Sequence, residues 1–180
     1  MLTLASRSPQ RRAILEQLGI VFRAEAPDAE ELTEGDPAAV VIENARRKAL
    51  SVQGERVLGA DTAVVLDGRV FGKPADVEEA AEFLRSLAGR RHEVHGGVCL
   101  RERGEERSGH AVTQVGFRAL EERELEWYLA TGEWRGRAGA YAIQGKGAAL
   151  VAEIAGDYWN VVGLPVSLLV SRGFVSPTVS

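Results

Sequence analysis

The chain of 180 residues is 45% hydrophobic and 27% charged, which fits one soluble globular domain, or two small lobes, with ample material for a core. A formal net charge of −4 excludes the basic profile of a nucleic-acid binder, so a small anionic ligand would have to be met by a local basic cluster. The single cysteine, Cys99, excludes an internal disulfide and argues against a cysteine-based metal site, and no apolar stretch reaches membrane-spanning length.

Leu2 to Ala5 reads as a short strand entering a buried sheet. Ser8 and Pro9 then form an N-cap and a first helical residue, Ile14, Leu15 and Leu18 give the helix an apolar face, and Gly19 ends it. Ile20 to Ala24 reads as a second strand, and the acidic, turn-rich stretch from Pro27 to Pro37 as a loop. Asp36 and Pro37 repeat the cap-plus-proline signal, which predicts a long helix to about Gln53, with Gly54 beyond it. Val57 to Leu66 is apolar and β-branched, and Gly59-Ala60-Asp61-Thr62 reads as an interruption that leaves Asp61 at a strand end. Asp67-Gly68 is a hairpin signal, with Arg69 to Phe71 returning.

Asp76 caps a helix through Leu87, closed by Gly89. Glu93 to Leu100 and Ala111 to Phe117 form an expected β-pair, joined by a charged turn from Arg101 to Ser108. Glu121 to Ala130 is helical, glycines crowd from Gly132 to Gly147, Ala148 to Ile154 is a strand, and Pro165 opens the last helix. The tail from Phe174 to Ser180 carries no readable function. Arginines arrive before any long apolar run, so no signal-peptide pattern opens the chain, and a reducing, cytoplasmic setting is expected. Helices alternate with strands and hairpins, which predicts an α/β fold built on a mixed sheet, and residues 1–180 are read as a single domain.

Five stretches carry possible chemistry. In Leu4-Ala-Ser-Arg-Ser-Pro-Gln-Arg-Arg, a helix N-terminus, the Ser6 and Ser8 hydroxyls and the pair Arg11 and Arg12 suit a phosphate. The bland alternative is a plain cap followed by solvated arginines. In Gly59 to Pro74, Asp61 is placed to hold a divalent metal or a water, and the hairpin would return Lys73 towards it. Alternatively Asp61 is a turn residue and Lys73 a surface charge. On the helix after Pro37, Asn44 and Lys48 share a face, and the acidic loop of Asp28, Glu30 and Glu31 has a carboxylate to lend to a metal. In Ala138 to Ala148, glycines around Gln144 suit close approach to a flat base, whose edge an amide can read. Lysine occurs only at Lys48, Lys73 and Lys146 in a chain that prefers arginine, a hint of a need for compact charge. Zinc spacing, Gly-x-Ser-x-Gly, the P-loop and the dinucleotide fingerprint are absent from the sequence.

Taken together, these blocks resemble the Maf family of nucleoside triphosphate pyrophosphatases, also called septum formation inhibitors. The resemblance runs through Leu4 to Arg12, Glu43-Asn-Ala-Arg-Arg-Lys-Ala49, Gly59 to Pro74, Ala138 to Ala148 and Gly156 to Pro165, in order. It implies a mixed, twisted sheet with flanking helices, two lobes around a cleft, and a homodimer. It also implies hydrolysis of a nucleoside triphosphate to the monophosphate and pyrophosphate with a divalent cation, Mg²⁺ or Mn²⁺. Ser6 and Arg11 match the family's phosphate-binding pair, and Glu31, Lys48, Asp61, Lys73 and Gln144 match the remaining cleft residues. The family usually reads Ser-Pro-Arg-Arg, whereas this chain has Gln10 at the first arginine and adds Arg12 one step on.

The run Ala138-Gly-Ala-Tyr-Ala-Ile-Gln-Gly145 resembles the branch acting on dTTP and UTP rather than the one acting on 7-methyl-GTP. The expected assignments are then catalytic roles for Asp61, Lys48 and Lys73, and substrate contacts for Ser6, Arg11, Arg12 and Gln144. Glu31 and Asp61 are the expected metal carboxylates. No nucleic-acid or membrane partner is expected. Two alternatives remain open: a pyrophosphatase that removes modified nucleotides, and a nucleotide-binding regulator of cell division without turnover.

Overall fold

The computed structural model describes residues 1–176, so the last four positions of the C-terminal tail lie outside the described residues. The elements in chain order are β1 (Leu2–Ala5), α1 (Pro9–Gln17), β2 (Phe22–Glu25), α2 (Pro37–Leu50), β3 (Arg56–Leu66) and β4 (Arg69–Phe71). There follow α3 (Val77–Leu87), β5 (Arg91–Glu102), β6 (Glu105–Phe117), α4 (Glu122–Ala130), β7 (Val151–Ala155), α5 (Tyr158–Val162) and α6 (Val166–Ser171). The strands form a twisted, mixed seven-stranded sheet in the order β2-β1-β3-β5-β6-β7, with β4 paired to β3. β1 runs parallel to both β2 and β3, and the β3–β4 and β6–β7 pairs are antiparallel. The expected α/β fold with a mixed sheet and flanking helices is therefore the one observed.

The caps fall where the local signals put them. Ser8, Asp36 and Asp76 each accept a backbone N–H of the first helical turn, and proline opens α1 and α2. Asp67 and Gly68 both have positive φ, as a tight two-residue hairpin requires.

Five readings need correction. β3 is continuous through Gly59 to Thr62, so Asp61 lies inside a strand and not at its end. Gly59 is there for contact: a Cβ on it would lie 2.0 Å from the Ala45 carbonyl of α2. α2 ends at Leu50, three residues before the expected Gln53, with Ser51 as its C-cap. The β5–β6 connection is only Arg103-Gly104, and the surrounding charges lie on the ends of two long strands. β2 and β7 start later than expected, and a 3₁₀ turn from Lys146 to Leu150 fills the stretch before β7. The short helix α5 has no counterpart among the sequence expectations.

Contacts divide the chain into two compact units. The first comprises Met1–Thr62, His95–Ala111 and the chain from Trp159 onward. An apolar cluster in it joins Leu2 and Leu4 of β1, Ile14 and Leu15 of α1, Leu58 of β3, and Leu164, Leu169 and Phe174 near the C-terminus. α2 packs with its backbone directly on the sheet, because Gly59 and Gly97 have no Cβ; one on Gly97 would lie 2.2 Å from the Val41 carbonyl. A smaller cluster of Ala5, Ala45, Ala49, Val52, Val57 and Cys99 fills that seam. The second unit comprises Ala63–Val94 and Val112–Tyr158. Phe71 and Phe83 meet edge-to-face there at 5.2 Å, and His92, Phe117 and Tyr141 form a second aromatic group.

Candidate active site

In the first unit, α2 sets three consecutive contacts against the acidic loop that precedes it. Asn44, Arg47 and Lys48 lie on one helix face, at the spacing that places side chains side by side. Arg47 donates to the Glu30 carbonyl at 3.1 Å. Lys48 Nζ lies 3.0 Å from Glu31 Oε1 and 2.7 Å from Asp61 Oδ1. Asn44 Nδ2 donates to the second oxygen of Asp61 at 3.0 Å, and the same amide engages both backbone groups of Leu32. Asp61 is therefore not a turn residue bonded to its own backbone. Both of its oxygens face α2, and the expected trio Glu31, Lys48 and Asp61 is brought together. In the sequence Asn44 stands out only by its spacing from Lys48, because a buried helical amide carries no stronger signal.

The opening of α1 brings a buried arginine within electrostatic reach of Asp61 and Glu31. Ser6 is buried, and its Oγ accepts from the Ser8 backbone N–H at 3.1 Å and from Arg11 Nη1 at 3.3 Å. Arg11 also donates to the Gly163 carbonyl at 2.9 Å, the Ala60 carbonyl at 2.9 Å and Thr62 Oγ1 at 3.1 Å. Burial pushes the Arg11 guanidinium below its usual range, and the negative charges of Asp61 and Glu31 oppose that shift. Arg11 is thus a buried linker between α1, β3 and the turn after α5, whereas Arg12 is exposed. The plain-cap reading of the opening stretch holds for Ser8 and for the exposed Arg12, whereas Arg11 points inward. Thr62 and Gly163, which bind that guanidinium, were not singled out in the sequence.

Lys73 and Gln144 belong to the second unit, and both are exposed. Lys73 follows β4, and the neighbouring Gly72 carbonyl accepts from the Gly139 N–H at 3.1 Å, which ties its loop to the glycine-rich run. Gln144 sits on a turn whose backbone is held from behind. The Tyr128 hydroxyl accepts from the Ala142 N–H at 2.9 Å, and burial pushes the Tyr128 pKa up to about 12, keeping the hydroxyl neutral. On the other side Glu133 accepts from the Gly147 N–H at 3.4 Å, and a Cβ on Gly145 would lie 2.5 Å from the Glu133 carboxylate. The glycines flanking Gln144 therefore answer packing needs as well as turns.

Two carboxylates that converge on one ammonium form an oxygen donor set of the kind hard divalent cations accept. Among the described residues no group of three or more histidine, cysteine, aspartate or glutamate side chains is placed to hold a metal. A surface depression in the second unit, lined by Val65, Leu66, Asp67, Arg91, His92 and Gln114, contains none of the expected site residues.

A family model described as Maf-like protein matches residues 1–172. The chain belongs to the Maf family. Curated relatives of this Maf-family chain include a dTTP/UTP pyrophosphatase of Anaeromyxobacter dehalogenans, 48% identical over 186 residues, covering 98% of this chain and 96% of the relative. A dTTP/UTP pyrophosphatase of Thermus thermophilus is 49% identical over 180 residues, covering 96% and 95%. One of Thermococcus gammatolerans is 47% identical over 173 residues, covering 94% and 93%. At the family's first arginine position, this Maf-family chain has Gln10, whose Oε1 accepts from the Ser8 hydroxyl at 3.1 Å. Gln10 thereby supports the helix cap.

Proposed function

We propose that this protein hydrolyses dTTP and UTP to the nucleoside monophosphate and pyrophosphate. The observation that carries the reading is the convergence of Glu31, Lys48 and Asp61 beside the α1 opening, in a chain similar along its length to dTTP/UTP pyrophosphatases. The residues 1–180 act as one catalytic domain on this reading. Water attacks the α-phosphorus, the bond to the bridging oxygen breaks, and pyrophosphate leaves with the electron pair. Asp61 orients the attacking water and takes its proton, a task within reach of a carboxylate placed at hydrogen-bond distance.

Glu31 and Asp61 would hold the divalent cation, Mg²⁺ or Mn²⁺. When bound, that cation neutralises phosphate oxygens and favours departure of the leaving group. Lys48, Lys73 and Arg12 add positive charge around the triphosphate, and Ser6 donates a hydroxyl. Arg11 fixes Ser6 in place and lends its remaining charge. Gln144 reads the pyrimidine edge with its paired donor and acceptor. The protein works as a homodimer in the cytoplasm, without nucleic-acid or membrane partners; the family resemblance supports this part. Among the described residues no helix is long and apolar enough to cross a membrane.

Pyrophosphate release tests the reading. The panel is dTTP, UTP, CTP, the purine triphosphates, 7-methyl-GTP and modified uridine triphosphates, each with Mg²⁺ or Mn²⁺. Selective turnover of dTTP and UTP is expected, and Asp61→Asn or Lys73→Ala should each lower it on the order of a hundredfold or more. Nucleotide binding without turnover would overturn it in favour of a sensor.

A further inference from the structure

We infer that Asn44 is a positioning residue that holds the Glu31 loop against Asp61 and so assembles the acidic pair. The inference rests on the proposed reading that Glu31 and Asp61 serve one reaction. Asn44 is 2% exposed, on the second turn of α2. Its Oδ1 accepts the Leu32 N–H at 2.7 Å, and its Nδ2 donates to the Leu32 carbonyl at 3.0 Å and to Asp61 Oδ2 at 3.0 Å. One amide therefore reproduces a strand-like pairing with a single loop residue while touching the carboxylate of β3. Aspartate, the nearest isostere, can accept but cannot donate, so it would lose two of these contacts and set a negative charge beside Asp61.

The loop needs such a fastening. Residues 26–36 contain no helix or strand, Glu31 and Leu32 are exposed, and their neighbours offer no buried apolar anchor. A segment of that kind opens readily unless its backbone is paired. Arg47 and Lys48 also reach the loop, but Arg47 does so through an exposed contact and Lys48 through the Glu31 side chain itself. Asn44 grips the backbone one residue away from Glu31, from a buried position. The distance between the two carboxylates is thus set from α2, the element that Gly59 lets rest on β3.

The test compares the wild-type protein with Asn44→Ala and Asn44→Asp. Amide hydrogen exchange of Leu32 reads the clamp, and that of Leu58, buried in β3, reads the fold. Asn44→Ala is expected to speed Leu32 exchange at least about tenfold, and Asn44→Asp, which keeps an acceptor for that N–H, to speed it less, both leaving Leu58 unchanged. Mn²⁺ titration without nucleotide is expected to show weaker binding in Asn44→Ala. In pyrophosphate release, Glu31→Ala should lose most of its effect when added to Asn44→Ala, because both changes remove the same carboxylate from the site. Unchanged Leu32 exchange in Asn44→Ala overturns the inference, as does a multiplicative effect of Asn44→Ala and Glu31→Ala. Loss of Leu58 protection in both variants also overturns it, since Asn44 would then serve the fold at large. A wild-type protein without turnover would overturn the proposed reaction, while exchange and Mn²⁺ binding would still decide the clamp.

Discussion

Lys48 Nζ lies 2.7 Å from Asp61 Oδ1, with only 7% of the lysine side chain and 12% of the aspartate side chain exposed. Glu31, the second partner of the ammonium, is 44% exposed, so its share of the attraction is screened by water. The strong half of the trio is therefore Lys48 with Asp61, a buried pair whose disruption leaves an uncompensated charge. Lys48→Met is expected to destabilise the cation-free protein by about 3 kcal/mol. Mn²⁺ should then raise the melting temperature more in the variant than in the wild type, because the cation takes the place of the ammonium between the carboxylates. Thermal unfolding with and without Mn²⁺ checks both parts, and equal Mn²⁺ shifts in the two proteins would count against the shared site.

Gly59 controls whether α2 can bring that lysine to Asp61. A Cβ at this position would lie 2.0 Å from the Ala45 carbonyl and 2.8 Å from the Ala49 nitrogen, both backbone atoms with no rotamer to yield. Gly59→Ala must move the helix or the strand, and overpacking of that kind costs about 3 kcal/mol or more. The expected outcome is a protein of lower stability whose turnover falls further than its folded fraction, since Asn44 and Lys48 both ride on the displaced helix. Denaturant unfolding beside single-turnover kinetics separates the two effects.

The same glycine shows where the sequence was legible and where it was not. Caps are local: Ser8, Asp36 and Asp76 act on backbone a few atoms away, so their meaning is written beside them. A glycine inside an apolar run has two meanings, a bend or a close approach, and the choice lies with a helix distant in sequence. Reading Gly59 to Thr62 as an interruption puts Asp61 at a strand end, whereas β3 runs straight through it. The charged run from Arg101 to Ser108 looked like one long turn because exposed strand ends and turns share a composition. Glu31, Lys48 and Asp61 are joined in the sequence only by the family resemblance, since Glu31 lies outside its motif blocks. The role of Asn44 is not legible, because its partners are backbone atoms of Leu32 and no residue type announces them.

Arg11 spends four N–H contacts on the protein, on Gly163, Ser6, Ala60 and Thr62, out of the five that a guanidinium carries. A lysine has three donors on one atom and cannot span that fork. Arg11→Lys should therefore behave as a stability variant as well as a binding variant, leaving buried carbonyls unpaired at a cost of about 2 kcal/mol. Arg12→Ala, by contrast, removes an exposed side chain, and its melting temperature should match the wild type while its KM for nucleotide rises. Melting curves and steady-state kinetics on the two variants distinguish a buried linker from a surface contact.

His92 gives the second unit a pH dependence of its own. The ring is 2% exposed, its Nε2 lies 2.8 Å from the Tyr141 hydroxyl, and its Nδ1 is buried without a partner. Burial pushes the His92 pKa down to about 4, below the value near 6.5 of a free imidazole. Between these values the unfolded chain binds a proton that the folded chain does not, so stability rises with pH across that window. The contribution is full above about pH 6.5 and is lost progressively as the pH falls towards 4, a change of about 3 kcal/mol. His92→Phe removes the titration and leaves the Tyr141 hydroxyl without its ring partner, which adds a cost that does not vary with pH in this range. The variant is expected to be less stable at pH 7.5 yet to lose less stability than the wild type on acidification to pH 4.5. Denaturant unfolding at both pH values measures the difference, and parallel losses in the two proteins would show that His92 does not set the acid slope.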